Sequence, residues 1–146
     1  MPVGLVYHDD FLAHETSGGH PERPDRLRAV MARIRENGLV ERMTPLDFEP
    51  CDSQVLAMVH DPAYIQRVER MCRDGTPFLD TPDTPVCPRS FDIARLAVGG
   101  VLAAADAVAT GEMTCAFCAV RPPGHHAEHA QAMGFCLFNN IALVAE

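Results

Sequence analysis

The sequence is short of positive charge and has no long apolar run, and both shortages narrow what it can do. Arg and Lys together number 12 against 20 Asp and Glu, a formal net charge of −8 at pH 7 over 146 residues. Generic nucleic-acid binding needs a basic face to neutralise phosphates, so this balance argues against it. One local basic cluster, Arg23, Arg26, Arg28, Arg33 and Arg35, reads as a solvated helix face. The N-terminus, MPVGLVYHDD, lacks the basic start and apolar run of a signal peptide. No stretch approaches the roughly 18 apolar residues of a membrane span. The expectation is a cytoplasmic protein without a membrane partner. There is no Gly-x-Gly-x-x-Gly and no P-loop, so the usual phosphate cradles are absent. No internal repeat or low-complexity tract is present.

What is there suits one globular domain. Apolar residues make up 47 % and charged residues 22 %, close to globular averages, and the length allows a real core. Six cysteines occur, at 51, 72, 87, 115, 118 and 136, but the setting is wrong for a disulfide framework. Cys115 and Cys118 lie in an apolar stretch that reads as strand. Side chains three apart on a strand point to opposite faces and cannot share a ligand or a bridge. Buried free thiols are the expectation.

Along the chain, residues 3–7 (VGLVY) read as a buried first strand. Residues 8–24 are polar and rich in Gly, His and Pro, a long loop of the kind that often carries function. Pro24 opens a helix whose apolar face is Leu27, Val30, Met31 and Ile34, and Asn37-Gly38 closes it. MTPLDFEP can supply a short second strand. Two short helices follow, each behind an aspartate cap, Asp52 and Asp61. Residues 73–90 hold four prolines and form a loop, read either as a surface crossing or as a rigid arm presenting Asp80 or Asp83. A helix runs from Phe91 to about Thr110. Gly99-Gly100 inside it costs helix propensity and suits close approach to a neighbour. TCAFCAV, residues 114–120, is continuously apolar, as in a parallel strand covered on both faces. FNNIALVAE begins a last helix. The order predicts an α/β fold, a parallel sheet with helices on both faces.

The chemistry concentrates in RPPGHHAEHAQAMGFCLFNN, residues 121–140. In an open parallel sheet, ligands bind at the carboxyl ends of strands, and the third strand feeds directly into this loop. Prolines 122 and 123 stiffen the approach, and Gly124 permits a tight turn. Adjacent side chains in a loop are expected to diverge, so His125 and His126 suit two separate proton-handling roles better than chelation of one metal. A zinc site needs three or four ligands. His126 with His129 supplies two, and no Asp-x-His or His-Glu-x-x-His follows. Read from spacing alone, proton transfer, a metal site and a loop without chemistry all stay open.

Taken together, RPPGHHAEHAQAMGFCLFNNIALVA, HPERPDRLRAV, VHDPAYIQRV, DTPV and FDIARLAVGGVLAAADAV resemble, in order, the motifs of the histone deacetylase family. These are zinc-dependent acyl-amide hydrolases. The likeness is greatest to the class II-type and bacterial members, among them acetoin-utilisation proteins and acetylpolyamine amidohydrolases, and runs from about Val3 to Glu146. The resemblance implies the arginase/deacetylase-like fold. It makes His126 the general base toward metal-bound water and His125 its electrostatic partner. Gly134 and Phe135 would line a narrow acyl-lysine tunnel, and Asp83 would hydrogen-bond substrate backbone at the rim. Arg23 would match an internal-channel arginine. The family's metal ligands, an Asp-x-His and a later Asp, and its carbonyl-polarising tyrosine are expected beyond Glu146. The chain is therefore read as the N-terminal portion of one deacetylase domain, carrying no metal ligand and inactive alone, with Zn2+ in the full-length protein. Its partners would be an acetylated lysine peptide or protein, or an acetylpolyamine. Two alternatives stand beside this: an arginase-like ureohydrolase, and a binding module that keeps the fold without catalysis. His129 is left as a loop residue, and the oligomeric state is open.

Overall fold

A computed structural model describes residues 1–146. Three strands, β1 (Val3–Val6), β2 (Thr44–Pro45) and β3 (Cys115–Cys118), form one parallel sheet in the order β2-β1-β3. Gly4 sits opposite both Thr44 and Ala116. Flanking bonds extend the ladder: the Leu46 amide donates to the Leu5 carbonyl at 3.0 Å and the Ala119 amide to the Val6 carbonyl at 2.9 Å.

The helices begin where the caps predict. α1 (Pro24–Glu36) has proline in its first turn, and α3 (Pro62–Arg73) is capped by Asp61, whose carboxylate accepts from the Ala63 amide at 2.7 Å. α2 (Ser53–Leu56) is a single turn and α4 (Ser90–Ala109) the long central helix. α5 (Asn140–Ala145) is capped by Asn139, which accepts from the Ala142 amide. The long loop after β1 holds one turn of 3-10 helix, Asp9–Ala13. No helix is long and apolar enough to cross a membrane.

Successive residues of β1 face opposite ways. Val6 meets α4 at Gly100, while Leu5 joins a cluster with Leu27 and Met31 of α1 and Phe11 of the 3-10 turn. α4 also touches β3, α3 and α5. A second, larger core gathers Leu56, Tyr64, Val68, Leu79, Phe91, Val98, Leu137 and Phe138. The predicted α/β architecture is thus the one observed.

Three expectations change. β3 lies at the sheet's edge rather than in a covered interior: Cys115 is exposed and Phe117 is 39 % exposed. Val30 of the predicted apolar face of α1 is likewise open, and it shares an apolar hollow with Phe117. All six cysteines are free, but only Cys51, Cys72 and Cys136 are buried. A continuous apolar run shows that a strand can be covered on both faces; it does not supply the covering layer.

The glycine pair in α4 behaves as expected. A Cβ at Gly99 would fall 1.9 Å from the Glu49 carbonyl oxygen, and one at Gly100 would fall 2.5 Å from Val6 Cγ1. The 49–51 segment cannot retreat easily. The Cys51 amide donates to the Arg95 carbonyl at 3.1 Å, and Arg95 Nε donates to the Cys51 carbonyl at 2.7 Å. Gly99→Ala is therefore expected to destabilise the chain by about 1–3 kcal/mol through overpacking, despite gaining roughly 1 kcal/mol of helix propensity. Denaturant unfolding of the two proteins checks the sign.

Candidate active site

The histidine loop leaves the carboxyl end of β3 through Arg121, and this side chain is buried. Its Nε and Nη2 grip both oxygens of Glu22, the latter at 2.9 Å. Nη1 donates to the Phe11 carbonyl at 2.8 Å and Nη2 to the His14 carbonyl at 2.9 Å. One guanidinium thus ties the start of the histidine loop to the long loop after β1 and to the residue just ahead of α1. Bidentate pairing of this kind needs the fixed fork of arginine.

Beyond Gly124 the chain turns sharply. The Ala127 amide donates to the Gly124 carbonyl at 3.1 Å, so His125 and His126 occupy the turn's two corner positions. This corrects the expectation that the side chains diverge: their ring centroids are 4.3 Å apart, with planes tilted by 51°. Both residues are exposed, and no hydrogen bond of the chain engages either ring. Two positive charges that close would repel. Gly124 is obligatory for a packing reason, because a Cβ there would meet Asn140 Oδ1 at 1.9 Å.

Gly134 lies flat against His126: a Cβ at 134 would come within 2.9 Å of its ring. Gly134 and Phe135 both have positive φ, 56° and 71°, in a turn closed by paired Met133 and Cys136 backbones. Left-handed backbone is uncommon for phenylalanine and persists only where its surroundings fix it. Here the Phe135 amide donates to Thr84 Oγ1 at 3.3 Å, and the His20 ring meets the Phe135 ring edge-on at 4.8 Å. His20 Nε2 is also 3.1 Å from the Asp83 carbonyl oxygen. Asp83, Gly134, Phe135, His125 and His126 therefore border one surface.

Arg23 stands apart from them. It is exposed, with a single 3.4 Å contact from Nη1 to the His20 carbonyl. A hollow of about 270 Å³ beside the start of the histidine loop is walled by Arg26, Glu22 and Arg121, and Arg23 is not in its wall. The proline-rich loop divides its two acids. Asp83 is exposed, whereas Asp80, with φ 53°, turns inward to accept from the Ala132 amide at 2.8 Å and to pair with Arg67.

Sequence reasoning missed several residues. His129 is an anchor: its Nδ1 is 2.6 Å from the Val59 carbonyl, and its own carbonyl accepts from the Asp61 amide at 2.9 Å. His60, fully buried, accepts from the Asn139 amide through Nε2 at 2.9 Å and so donates from Nδ1 to the Glu128 carbonyl at 2.9 Å. Burial lowers its pKa, keeping it neutral as this arrangement requires. Tyr64 donates to the Leu137 carbonyl at 2.6 Å. The signal for His60 and Tyr64 was their placement in the quoted VHDPAYIQRV motif, and for His129 its place in the histidine loop, which spacing could not convert into contacts. Glu22 and His20 sat likewise in HPERP.

Ser90, His14 and Glu22 stand in a row that imitates a hydrolase triad. Ser90 Oγ is 2.8 Å from His14 Nδ1, and His14 Nε2 is 3.8 Å from Glu22. All three are buried, so no substrate reaches them and the row is structural. Burial, then the Arg121 charge, pushes the His14 pKa down to about 3. No group of three His, Cys, Asp or Glu side chains converges on a point that could hold a metal ion.

An α/β scaffold thus presents a histidine pair, a flat glycine and a fixed aromatic beyond the carboxyl end of β3. Residues 20–146 match the histone deacetylase domain, and the chain belongs to that family. It is 38 % identical to a probable deacetylase of Archaeoglobus fulgidus, aligning over its whole length with 41 % of that protein. It is also 38 % identical to the human polyamine deacetylase HDAC10, with 99 % of this chain covering 23 % of that one. Among solved structures, the HDA15 HD domain superposes with a TM-score of 0.92 at 36 % identity, covering 99 % of this chain and 43 % of that one. The chain thus spans less than half the length of each.

Replacing one partner of the buried pair leaves the other charge unpaired. Arg121→Met is expected to cost about 3–5 kcal/mol in denaturant unfolding, and the double variant Glu22→Met/Arg121→Met to regain part of it. His14 adds a pH dependence. Its folded pKa lies below the ordinary value, so the unfolded chain binds more protons between about pH 6.5 and 3. Its contribution is full above that window and is lost as pH falls through it, by up to about 1.4 kcal/mol per pH unit. The stability difference between wild type and His14→Gln, followed from pH 7 to 4, should shrink accordingly.

Proposed function

We propose that these residues form the N-terminal wall of a cytoplasmic, zinc-dependent deacetylase that hydrolyses acyl amides of lysine side chains or polyamines. The observation that carries this reading is the side-by-side pair His125 and His126, open to solvent, with Gly134 packed against His126 and Phe135 fixed beside it. The side chains of this chain do not make a metal site. Zinc dependence is part of the proposal, with its ligands expected outside these 146 residues.

The chain's own residues divide the remaining work. His126 accepts a proton from the attacking water, for which its ring nitrogens are free, and the pair returns a proton to the leaving amine. His125 carries or balances charge beside it. The absent side chain at Gly134 leaves room for an extended alkyl chain to run past His126, and the Phe135 ring forms the facing wall. Asp83, exposed at the rim, accepts a hydrogen bond from substrate backbone or a polyamine nitrogen. A net charge of −8 favours cationic substrates over anionic ones.

The test is acetate release from an acetyl-lysine peptide and from an N-acetylated polyamine by the full-length protein. Activity should disappear with a chelator and return with zinc, and His126→Ala should lower kcat by roughly 10²–10⁴-fold. The 146-residue piece should be inactive. Wild-type rates in His126→Ala would overturn the assignment of the base. Failure on both substrates, with stable folding, would favour the non-catalytic module.

A further inference from the structure

The tip of the proline-rich loop is a closed unit. The Leu79 amide donates to the Thr84 carbonyl at 2.9 Å and the Val86 amide to the Pro77 carbonyl at 3.1 Å. Thr84 is fully buried inside it. Thr84 Oγ1 lies 3.3 Å from the Phe135 amide, 2.9 Å from Thr81 Oγ1 and 3.4 Å from Asp83 Oδ1, and Thr81 Oγ1 lies 2.5 Å from Asp83 Oδ1.

The two ends of this chain have fixed roles. An amide can only donate, and an ionised carboxylate can only accept. The Thr84 oxygen must therefore accept from Phe135 and send its own proton onward to Thr81, or directly to Asp83. The Thr81 proton must point at Asp83. Every hydroxyl between the ends is turned the same way, and the carboxylate charge polarises the series.

We infer that Thr84 and Thr81 are positioning residues, forming a one-way hydrogen-bond relay from the Phe135 amide to the Asp83 carboxylate. The relay makes the rim acid and the tunnel aromatic one mechanical unit. Phe135 needs such support because its φ of 71° is left-handed. Asp80 holds the same tip at a second point, the Ala132 amide, so the tip brackets Gly134 from both sides. A substrate N–H donated to Asp83 draws on the same carboxylate charge that orients Thr81 and is felt at Phe135. That last consequence rests on the functional reading above; the relay itself does not.

The experiment is amide hydrogen exchange at Phe135 in the full-length protein without substrate, alongside KM for an acetyl-lysine peptide. Thr84→Val removes the hydroxyl at nearly constant volume and should speed exchange at Phe135 roughly five- to ten-fold, the worth of one hydrogen bond. Thr81→Val and Asp83→Ala, which do not touch Phe135, should each speed it measurably, and Thr84→Ser should restore the wild-type rate. In an active enzyme Thr84→Val should raise KM more than it lowers kcat. If Thr84→Val does not fold, Thr81→Val decides. Wild-type exchange at Phe135 in both Thr81→Val and Asp83→Ala, or exchange in Thr84→Ser as fast as in Thr84→Val, overturns the relay. Exchange needs no turnover, so an inactive wild type whose Phe135 responds to these variants would overturn the deacetylase reading and leave the relay standing.

Discussion

The ion pair between Arg121 and Glu22 is the constraint on which the rest of the site hangs. Two charges this deeply buried are tolerable only when each is fully partnered. Here the carboxylate takes both arms of the guanidinium, and the remaining donors reach the Phe11 and His14 carbonyls. The pair joins segments 99 residues apart in sequence. It fixes where the histidine loop leaves β3, where the long loop after β1 returns, and where α1 begins. His20, two residues before Glu22, is thereby set against Phe135 and the Asp83 carbonyl. Neutral His14 fits the same centre because a second buried positive charge beside Arg121 would be disfavoured.

The far end of the histidine loop is held by a different device. His60, Asp61, Tyr64 and Arg67, on and just before α3, reach its backbone at residues 128, 129, 130, 137 and 139. Asp80 adds the amide of Ala132. Between the two anchors His125 and His126 are exposed, as are residues 128–131 and Met133, and the turn carrying Gly134 and Phe135 is half-buried. A reactive loop can be exposed and still well placed when its backbone polar groups are satisfied by rigid neighbours.

Much of this was legible in the residues. Pro24, Asn37-Gly38 and Asp61-Pro62 mark helix ends because capping and the stiffness of proline act locally. Gly99-Gly100 signalled close packing because only a neighbour's approach justifies its cost in a helix. The histidine pair and Gly134-Phe135 were visible as motif, and their positions meet on one surface. The relation between His125 and His126 was misjudged, because a tight turn can bring adjacent side chains alongside one another in a way that residue spacing does not reveal. The covered β3 was misjudged because an apolar pattern describes compatibility with burial, not the presence of a partner layer.

The sequence by itself determined the order and kind of the elements, the parallel α/β class, and the residue types that can move protons. These follow from local rules: apolar periodicity, caps, and the intrinsic chemistry of histidine. Only the tertiary structure decided which polar groups meet. It paired Glu22 with Arg121, separated inward Asp80 from outward Asp83, placed Arg26 rather than Arg23 in the hollow, and gave His129 and His60 their anchoring roles. The physical reason is that a hydrogen bond is worth having only within a few tenths of an ångström of its ideal length. Between residues far apart in the chain, that closeness is set by the packing of the sheet and helices and is written in no single stretch of sequence.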